Sequence, residues 1–150
     1  MIAANHHLLD FAFADYGLVE IDGKGSNPQL LAMIRKYIPA ATDDSEVSWC
    51  GIFMSHIVGQ LPGGNALCPA GRLAARNWLA TGKEITVDQA LPGDIVVFYR
   101  GSIDGWQGHV GFFIRKDAAK IWCLGGNQGN KVSIEAYPAV RMLGIRRIFI

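Results

Sequence analysis

Residues 92–99, Pro-Gly-Asp-Ile-Val-Val-Phe-Tyr, mark the point at which the pattern of the sequence changes. After them the chain consists of short β-branched and aromatic runs, each bounded by Gly, Asp or Asn, as strands joined by turns are. The connections are short enough for antiparallel pairing. The predicted strands are Asp94–Tyr99, His109–Arg115, Lys120–Leu124, Lys131–Ile134 and Ile145–Ile150.

The first half of the chain has helical spacing instead. Ser26-Asn27-Pro28 offers a capping side chain followed by Pro at the first helical position, and Ser48 is expected to cap a later helix. Because helices precede strands, the sequence predicts an α+β domain and not a doubly wound parallel sheet. The predicted helices cover residues 8–16, residue 28 onward, 49 to about 58 and about 69 to 80.

Size and charge exclude several classes of protein. With 150 residues, half of them hydrophobic, we expect one domain over residues 1–150. Fourteen basic and thirteen acidic side chains form no like-charged run, so nucleic acid is not an expected partner. The N-terminus does not have the pattern of a signal peptide, and no stretch is long enough for a membrane span. Three cysteines are too few for a disulfide framework.

Cys50 is the candidate nucleophile. It lies in the first turn of the predicted third helix, where unpaired backbone N–H groups and the helix dipole favour a thiolate. The alternative is that Cys50 is a small buried hydrophobic residue. Cys68 precedes a proline and Cys123 lies inside an apolar strand, so both are weaker candidates.

A cysteine nucleophile needs a base within hydrogen-bond reach. Of the four histidines, His6 and His7 are adjacent on a helix and face different directions. His56 follows Cys50 by more than a helical turn, which is too far along the axis for direct pairing. His109 opens a strand after a glycine-bounded loop, where its ring can face a cleft, although a structural role is the alternative.

Asn127 is the candidate that would orient the base. It follows the strand predicted to lie antiparallel to the strand of His109, and such pairing brings the two ends together. Its carboxamide would accept the ring N–H of His109, as in a Cys-His-Asn triad. The alternative is that the surrounding Gly-Gly-Asn-Gln serves only to form a turn. The Cys and His spacings fit no common zinc motif, so we expect no metal and no other cofactor.

Several motifs together resemble the NlpC/P60 and CHAP hydrolases, a family of phage- and bacteria-borne cysteine peptidases and amidases. A small departure is Gly51, which stands where relatives often have Ala. The motifs are Gly23-Lys24-Gly25-Ser26-Asn27-Pro28, Trp49-Cys50, Pro92-Gly93-Asp94-Ile95-Val96-Val97-Phe98, Gly108-His109-Val110-Gly111-Phe112 and Leu124-Gly125-Gly126-Asn127-Gln128.

The resemblance implies a papain-like core, with the cysteine helix packed on an antiparallel sheet. It gives Cys50, His109 and Asn127 the roles of nucleophile, base and orienting residue. It also implies that the substrate is an amide bond of peptidoglycan, cut by an endopeptidase or an N-acetylmuramoyl-L-alanine amidase. The competing interpretation is an inactive wall-binding or scaffold module with the same fold.

Residues near the predicted site are candidates for substrate binding. Acidic side chains just before the cysteine are candidates to recognise an amine of the stem peptide, although a solvated acidic loop is the alternative. Trp49 and Trp106 are candidates to line a groove, with packing as the alternative for Trp49. The complete set of candidates is Asp43, Asp44, Glu46, Trp49, Trp106 and Gln128.

The implied setting is that of a phage-type lysin or an antibacterial effector. Such a protein would be made in the cytoplasm without a signal peptide and would act in the periplasm or cell wall after release or delivery. We expect a monomer without stable membrane association. An effector would also have a neutralising immunity protein as a partner.

Overall fold

The computed structural model describes residues 1–22 and 25–150, so Gly23 and Lys24 of the first motif lie outside the described residues. The helices are α1 (Asn5–Ala14), α2 (Pro28–Arg35), α3 (Cys50–Val58) and α4 (Gly64–Leu67), with 3₁₀ helices at Ala75–Ala80, Val87–Gln89 and Ala139–Arg141. The strands are β1 (Lys83–Ile85), β2 (Ile95–Tyr99), β3 (Gly108–Asp117), β4 (Lys120–Gly125), β5 (Ser133–Pro138) and β6 (Met142–Arg147).

The strands form one six-stranded sheet in the order β1-β6-β2-β3-β4-β5. Every neighbouring pair is antiparallel, which confirms the predicted α+β class and the predicted pairing of β3 with β4. The sequence did not predict β1, which has three residues and pairs with one edge of β6. Within residues 1–22 and 25–150, no helix is long and apolar enough to cross a lipid bilayer.

Helix α2 begins as predicted, but α3 does not. Asn27 Oδ1 accepts hydrogen bonds from the backbone N–H groups of Gln29 and Leu30, and Pro28 is the first helical residue. Trp49, and not Ser48, is the N-cap of α3, and this end has no side-chain cap. The expectation that Ser48 caps this helix was therefore wrong.

The predicted fourth helix, about residues 69–80, was also wrong. Gly71 has a φ of +64°, a left-handed conformation that interrupts a right-handed helix. Asn77 Nδ2 donates to the carbonyl oxygen of Gly71 at 2.9 Å and so closes this turn from the side. The chain consequently forms turns and then the 3₁₀ helix Ala75–Ala80.

The sheet has an apolar cluster on each face. One cluster joins the sheet to α3 through residues that include Ile52, Phe53, Ile57, Val97, Val110, Phe112 and Leu124. The other contains Val96, Phe98, Phe113, Ile121, Cys123 and Ile145.

On the second face, aromatic rings from separate strands meet. Phe98 of β2 and Tyr137 of β5 belong to strands three positions apart, about 14 Å in a flat sheet. Their rings nevertheless stack with centroids 4.8 Å apart. The ring of His109 stacks on the same Tyr137 at 4.9 Å.

The Pro-Gly-Asp motif has a structural role, because its aspartate forms a buried ion pair. Asp94 is fully buried, and its two carboxylate oxygens accept hydrogen bonds from Nε and a terminal nitrogen of Arg147, each at 2.7 Å. A paired fork of this kind offsets the cost of burying the charge. The motif therefore fixes the start of β2 against the end of β6.

Candidate active site

Cys50 is the first residue of α3 and lines a pocket of about 240 Å³. Its side chain is 4% exposed, and Sγ lies 4.0 Å from Ser48 Oγ. Gly51 lets this end of the helix approach the later segment at Arg72 and Leu73 closely, because a Cβ there would lie 2.5 Å from the carbonyl oxygen of Leu73. Glycine is thus required at this position.

His109 lies at the start of β3 and is almost completely buried, with 1% of its surface exposed. Its Nε2 lies 2.8 Å from Gln128 Oε1, and Tyr137 donates its hydroxyl to the same oxygen at 3.0 Å. Its Nδ1 lies 3.4 Å from a terminal nitrogen of Arg100. Both ring nitrogens therefore have a polar neighbour.

The hydrogen bonds of Gln128 fix the tautomer of His109. Gln128 Nε2 donates to the carbonyl oxygens of Cys123 (3.1 Å) and Ser133 (2.6 Å), so Oε1 must face the histidine. An amide oxygen only accepts, and therefore His109 Nε2 carries the proton. Nδ1 is left as an acceptor, which agrees with the guanidinium donor of Arg100 beside it.

The environment keeps the His109 ring neutral. Burial lowers its pKa to about 4; the hydrogen bond to Gln128 opposes this change and the positive charge of Arg100 adds to it. The ring is therefore neutral at neutral pH, and Nδ1 carries a lone pair that faces the Arg100 guanidinium.

The turn at residues 125–128 connects this histidine with the cysteine helix. A Cβ on Gly125 would lie 2.8 Å from Gln128 Oε1 and 3.2 Å from His109 Nε2. A Cβ on the next residue, Gly126, would lie 2.6 Å from Cβ of Phe53 in α3. Asn127 then donates to Ser48 Oγ at 3.3 Å. Consecutive residues of one turn thus contact the histidine and the start of α3.

The environment of Tyr137 raises the pKa of its hydroxyl. Burial is the main cause; negative charge on Cys123 adds to it, and the positive charge of Arg100 opposes it. Tyr137 therefore keeps the hydroxyl proton that it donates to Gln128 Oε1.

Asn127 does not make the contact predicted for it. Gln128 is the residue that accepts the ring N–H of His109, whereas the Asn127 carboxamide donates to Ser48. The backbone of Asn127 is left-handed, with a φ of +58°, whereas the side chain of Gln128 is buried and donates to the carbonyl oxygens of Cys123 and Ser133. Gln128 had been expected to contact substrate, but it is 2% exposed.

Two other candidates for substrate binding have structural partners. Trp49 is fully buried and its Nε1 donates to Glu20 at 2.7 Å, so it does not line a groove. Asp44 is also fully buried, and its Oδ2 accepts from the backbone N–H groups of Ile21 and Asn27. The expected substrate roles of Trp49 and Asp44 are therefore corrected to packing and loop bracing.

The other acidic residues of this loop bind their own backbone. Glu46 is exposed and accepts hydrogen bonds from the N–H and hydroxyl of Thr42. Asp43 accepts from the N–H and hydroxyl of Ser45, and these hydrogen bonds lower its pKa. Neither residue lines the pocket that Cys50 opens into.

Trp106 agrees best with its predicted position, because it is 80% exposed and lines the pocket. Its loop is held by Arg76, which donates to the carbonyl oxygens of Ser102, Ile103 and Gln107 at 2.7–2.8 Å. The role of Arg76 in holding this loop was not predicted from the sequence. The complete pocket lining is Ser48, Cys50, Leu73, Ala74, Ala75, Arg100, Trp106, Gln107 and Gly108.

The other surface depressions and the other two thiols are weaker candidates for an active site. Depressions of about 410, 550 and 580 Å³ lie elsewhere on the surface, and neither Cys50 nor Arg100 lines them. Burial raises the pKa of the remaining thiols, Cys68 and Cys123, which makes them poor nucleophiles. Among the described residues, no group of three or more His, Cys, Asp and Glu side chains is arranged to hold a metal ion.

Comparison with known proteins gives no family assignment. No family model and no curated protein matches the chain. Nine solved chains match, among them the crystal structure of Ly7917, at 20% identity and a TM-score of 0.43. The match covers 95% of this chain and 62% of that one, so this chain spans less than two thirds of its length. The TM-score is too low for fold or function to be assigned from that structure.

Proposed function

We propose that the protein is a cysteine hydrolase that cuts an amide bond of peptidoglycan, with Cys50 as nucleophile and His109 as base. The observation that carries this proposal is the turn 125–128, which contacts both the start of α3 and the His109 ring. Gln128 takes the orienting role that the sequence had given to Asn127. The proposed architecture is papain-like. In support of it, Cys50 is the first residue of a helix that packs against an antiparallel sheet.

The proposed mechanism assigns one function to each group. Cys50 Sγ attacks the carbonyl carbon, and His109 Nδ1 takes up the thiol proton. His109 then gives the proton to the leaving amine, and water hydrolyses the thioester. Gln128 stabilises the imidazolium through its oxygen on Nε2, as the third member of a triad does. The backbone N–H of Cys50, at an uncapped helix start, is available for the oxyanion.

Hydrolysis of purified peptidoglycan tests this proposal. Cys50→Ser and His109→Ala are each expected to lower activity by about 1,000-fold or more, the magnitude known for triad residues. Cys68→Ser is the matched control, because that thiol lies in a different pocket, and it should retain activity. Thermal unfolding verifies that each variant is folded. Undiminished activity in either site variant would overturn the assignment.

Mass spectrometry of the released fragments identifies the bond. An amidase frees the intact peptide from muramic acid, whereas an endopeptidase produces shortened stem peptides. A wild-type protein that binds sacculi without releasing either product would be the inactive wall-binding module instead.

A further inference from the structure

Arg100 is a positively charged group in the Cys50 pocket that the mechanism does not use. It follows β2 directly, is exposed, and lines the pocket together with the nucleophile. Its contact with His109 Nδ1 is 3.4 Å, longer than a good hydrogen bond to nitrogen or oxygen. Within residues 1–22 and 25–150, no carboxylate lies within 4.0 Å of its guanidinium.

The pocket is therefore positively charged, whereas the sequence had suggested acidic residues that bind an amine. Its other lining residues are neutral, and the nearby guanidinium of Arg76 is also positive, so the local potential is positive. The acidic residues expected to bind an amine are committed elsewhere, Asp44 to buried backbone N–H groups and Glu46 to Thr42. A negatively charged substrate group fits this pocket and an amine does not.

The shape of the pocket favours a carboxylate on a residue-sized group. A guanidinium presents parallel donors that match the two oxygens of a carboxylate. The volume of about 240 Å³ is below the roughly 300–1,000 Å³ of pockets that bind drug-sized ligands, and Leu73 and Ala74 give it an apolar wall. Because Arg76 holds the loop of Trp106 and Gln107 through three carbonyl groups, this part of the pocket wall is fixed before substrate binds.

We propose that Arg100 is a specificity-determining residue that binds a free carboxylate on the residue next to the scissile amide. Its weak contact with His109 Nδ1 is exchanged for the stronger charge-assisted contact with the substrate. That exchange leaves Nδ1 free for the Cys50 thiol, so the base becomes available when the correct substrate is bound. The identity of the substrate as a peptide amide rests on the proposed function, whereas the affinity for a carboxylate does not.

Alkylation of Cys50 tests the carboxylate preference without any hydrolysis. Iodoacetate and iodoacetamide form the same C–S bond and release iodide, but only iodoacetate carries a carboxylate. Peptide mapping by mass spectrometry follows Cys50 apart from the other thiols. In Arg100→Gln the rate ratio of iodoacetate to iodoacetamide should fall about three- to ten-fold from the wild-type value. Added salt should lower the wild-type ratio in the same direction.

Arg115→Gln is the matched control, because it removes one positive charge from an exposed side chain that pairs with Asp117 away from the pocket. The ratio in this variant should stay within about two-fold of wild type. An unchanged ratio in Arg100→Gln, or an equal fall in both variants, would overturn the proposal.

A pair of synthetic peptides extends the test to the reaction. The two peptides share the bond identified by mass spectrometry and carry either a free carboxylate or a primary carboxamide on the adjacent residue. Wild type should favour the carboxylate about ten-fold in kcat/KM, chiefly through KM, and Arg100→Gln should lose the preference. Equal use of both peptides by wild type would contradict the proposal. If Cys50→Ser were fully active the hydrolase assignment would fail, while the alkylation ratio would still report on Arg100.

Discussion

Two polar segments lie beside the start of α3, the acidic loop at residues 43–46 and the turn at residues 125–128. In the sequence the loop is the obvious candidate, since it directly precedes Cys50 and carries three carboxylates. In the structure those carboxylates accept hydrogen bonds from the loop itself or from buried backbone. The distant turn, by contrast, contacts both His109 and the cysteine helix.

The difference shows that backbone conformation decides which polar side chains reach a site. A carboxylate close to free backbone N–H groups binds them and becomes part of the loop. Two residues of the turn, Gly125 and Gly126, have no side chain, so the backbone of the turn can approach both α3 and β3 closely. The side chain of Asn127 then contacts Ser48, and that of Gln128 contacts His109.

The largest expected effect distinguishes the two neighbours in the turn. Gln128→Met keeps the length of the side chain but removes the acceptor for His109 Nε2, and kcat should fall about 100-fold or more. Asn127→Ala removes only the exposed hydrogen bond to Ser48, and kcat should fall less than about ten-fold. Steady-state kinetics on the identified peptide measures both. A larger loss in Asn127→Ala would restore the role that the sequence had assigned to it.

The second prediction concerns stability in acid. His109 has a folded-state pKa of about 4 against an ordinary value of 6.5, so the unfolded chain binds more protons between these values. The contribution of neutral His109 to the free energy of unfolding is fully present above pH 6.5 and is lost as the pH falls toward 4. At roughly 1.4 kcal/mol per pKa unit, the loss amounts to about 3 kcal/mol.

Urea unfolding of wild type and His109→Gln between pH 8 and pH 4 measures this loss. The difference between the two proteins isolates His109, because His56, whose pKa burial also lowers, is present in both. Hydrogen bonds from Ser45 lower the pKa of Asp43 below its ordinary value of 3.8, so the contribution of Asp43 is lost only as the pH falls through that lowered pKa. Parallel curves for both proteins from pH 6.5 to 4 would contradict the burial of a neutral His109.

A smaller effect separates two residues of the acidic loop. Asp44→Ala leaves the backbone N–H groups of Ile21 and Asn27 without their acceptor, and the free energy of unfolding should fall by about 2 kcal/mol. Glu46→Ala changes an exposed residue and should alter it by less than about 0.5 kcal/mol. Urea denaturation gives both values. The kcat of the folded protein should be unchanged in each case. A lower kcat in Glu46→Ala alone would indicate that the loop does contribute to the active site.

Much of the fold could be predicted from the sequence because its signals are local. Pro28 and Asn27 gave the start of α2, and the β-branched runs gave strands within a few residues of β2, β3 and β4. The helix predicted over residues 69–80 failed because the spacing of apolar residues does not reveal that Gly71 is left-handed. β1 was missed because three residues are too few to show alternation.

The site was predictable only in part. Cys50 and His109 could be singled out from a helix start and a glycine-bounded strand start. The choice between Asn127 and Gln128 could not, because it depends on one positive φ in the turn. Arg100 reaches His109 across the β2–β3 connection, and Tyr137 reaches it from a strand two positions away in the sheet, a tertiary contact with no local signal.

The most direct test of this account is the protonation state of His109, measured by ¹⁵N NMR on histidine-labelled protein, with His109→Gln used to assign the signals. The account predicts a neutral ring at pH 7 with the proton on Nε2, hydrogen-bonded to Gln128, and no protonation down to about pH 5. A proton on Nδ1, or a ring that titrates near pH 6.5, would contradict it.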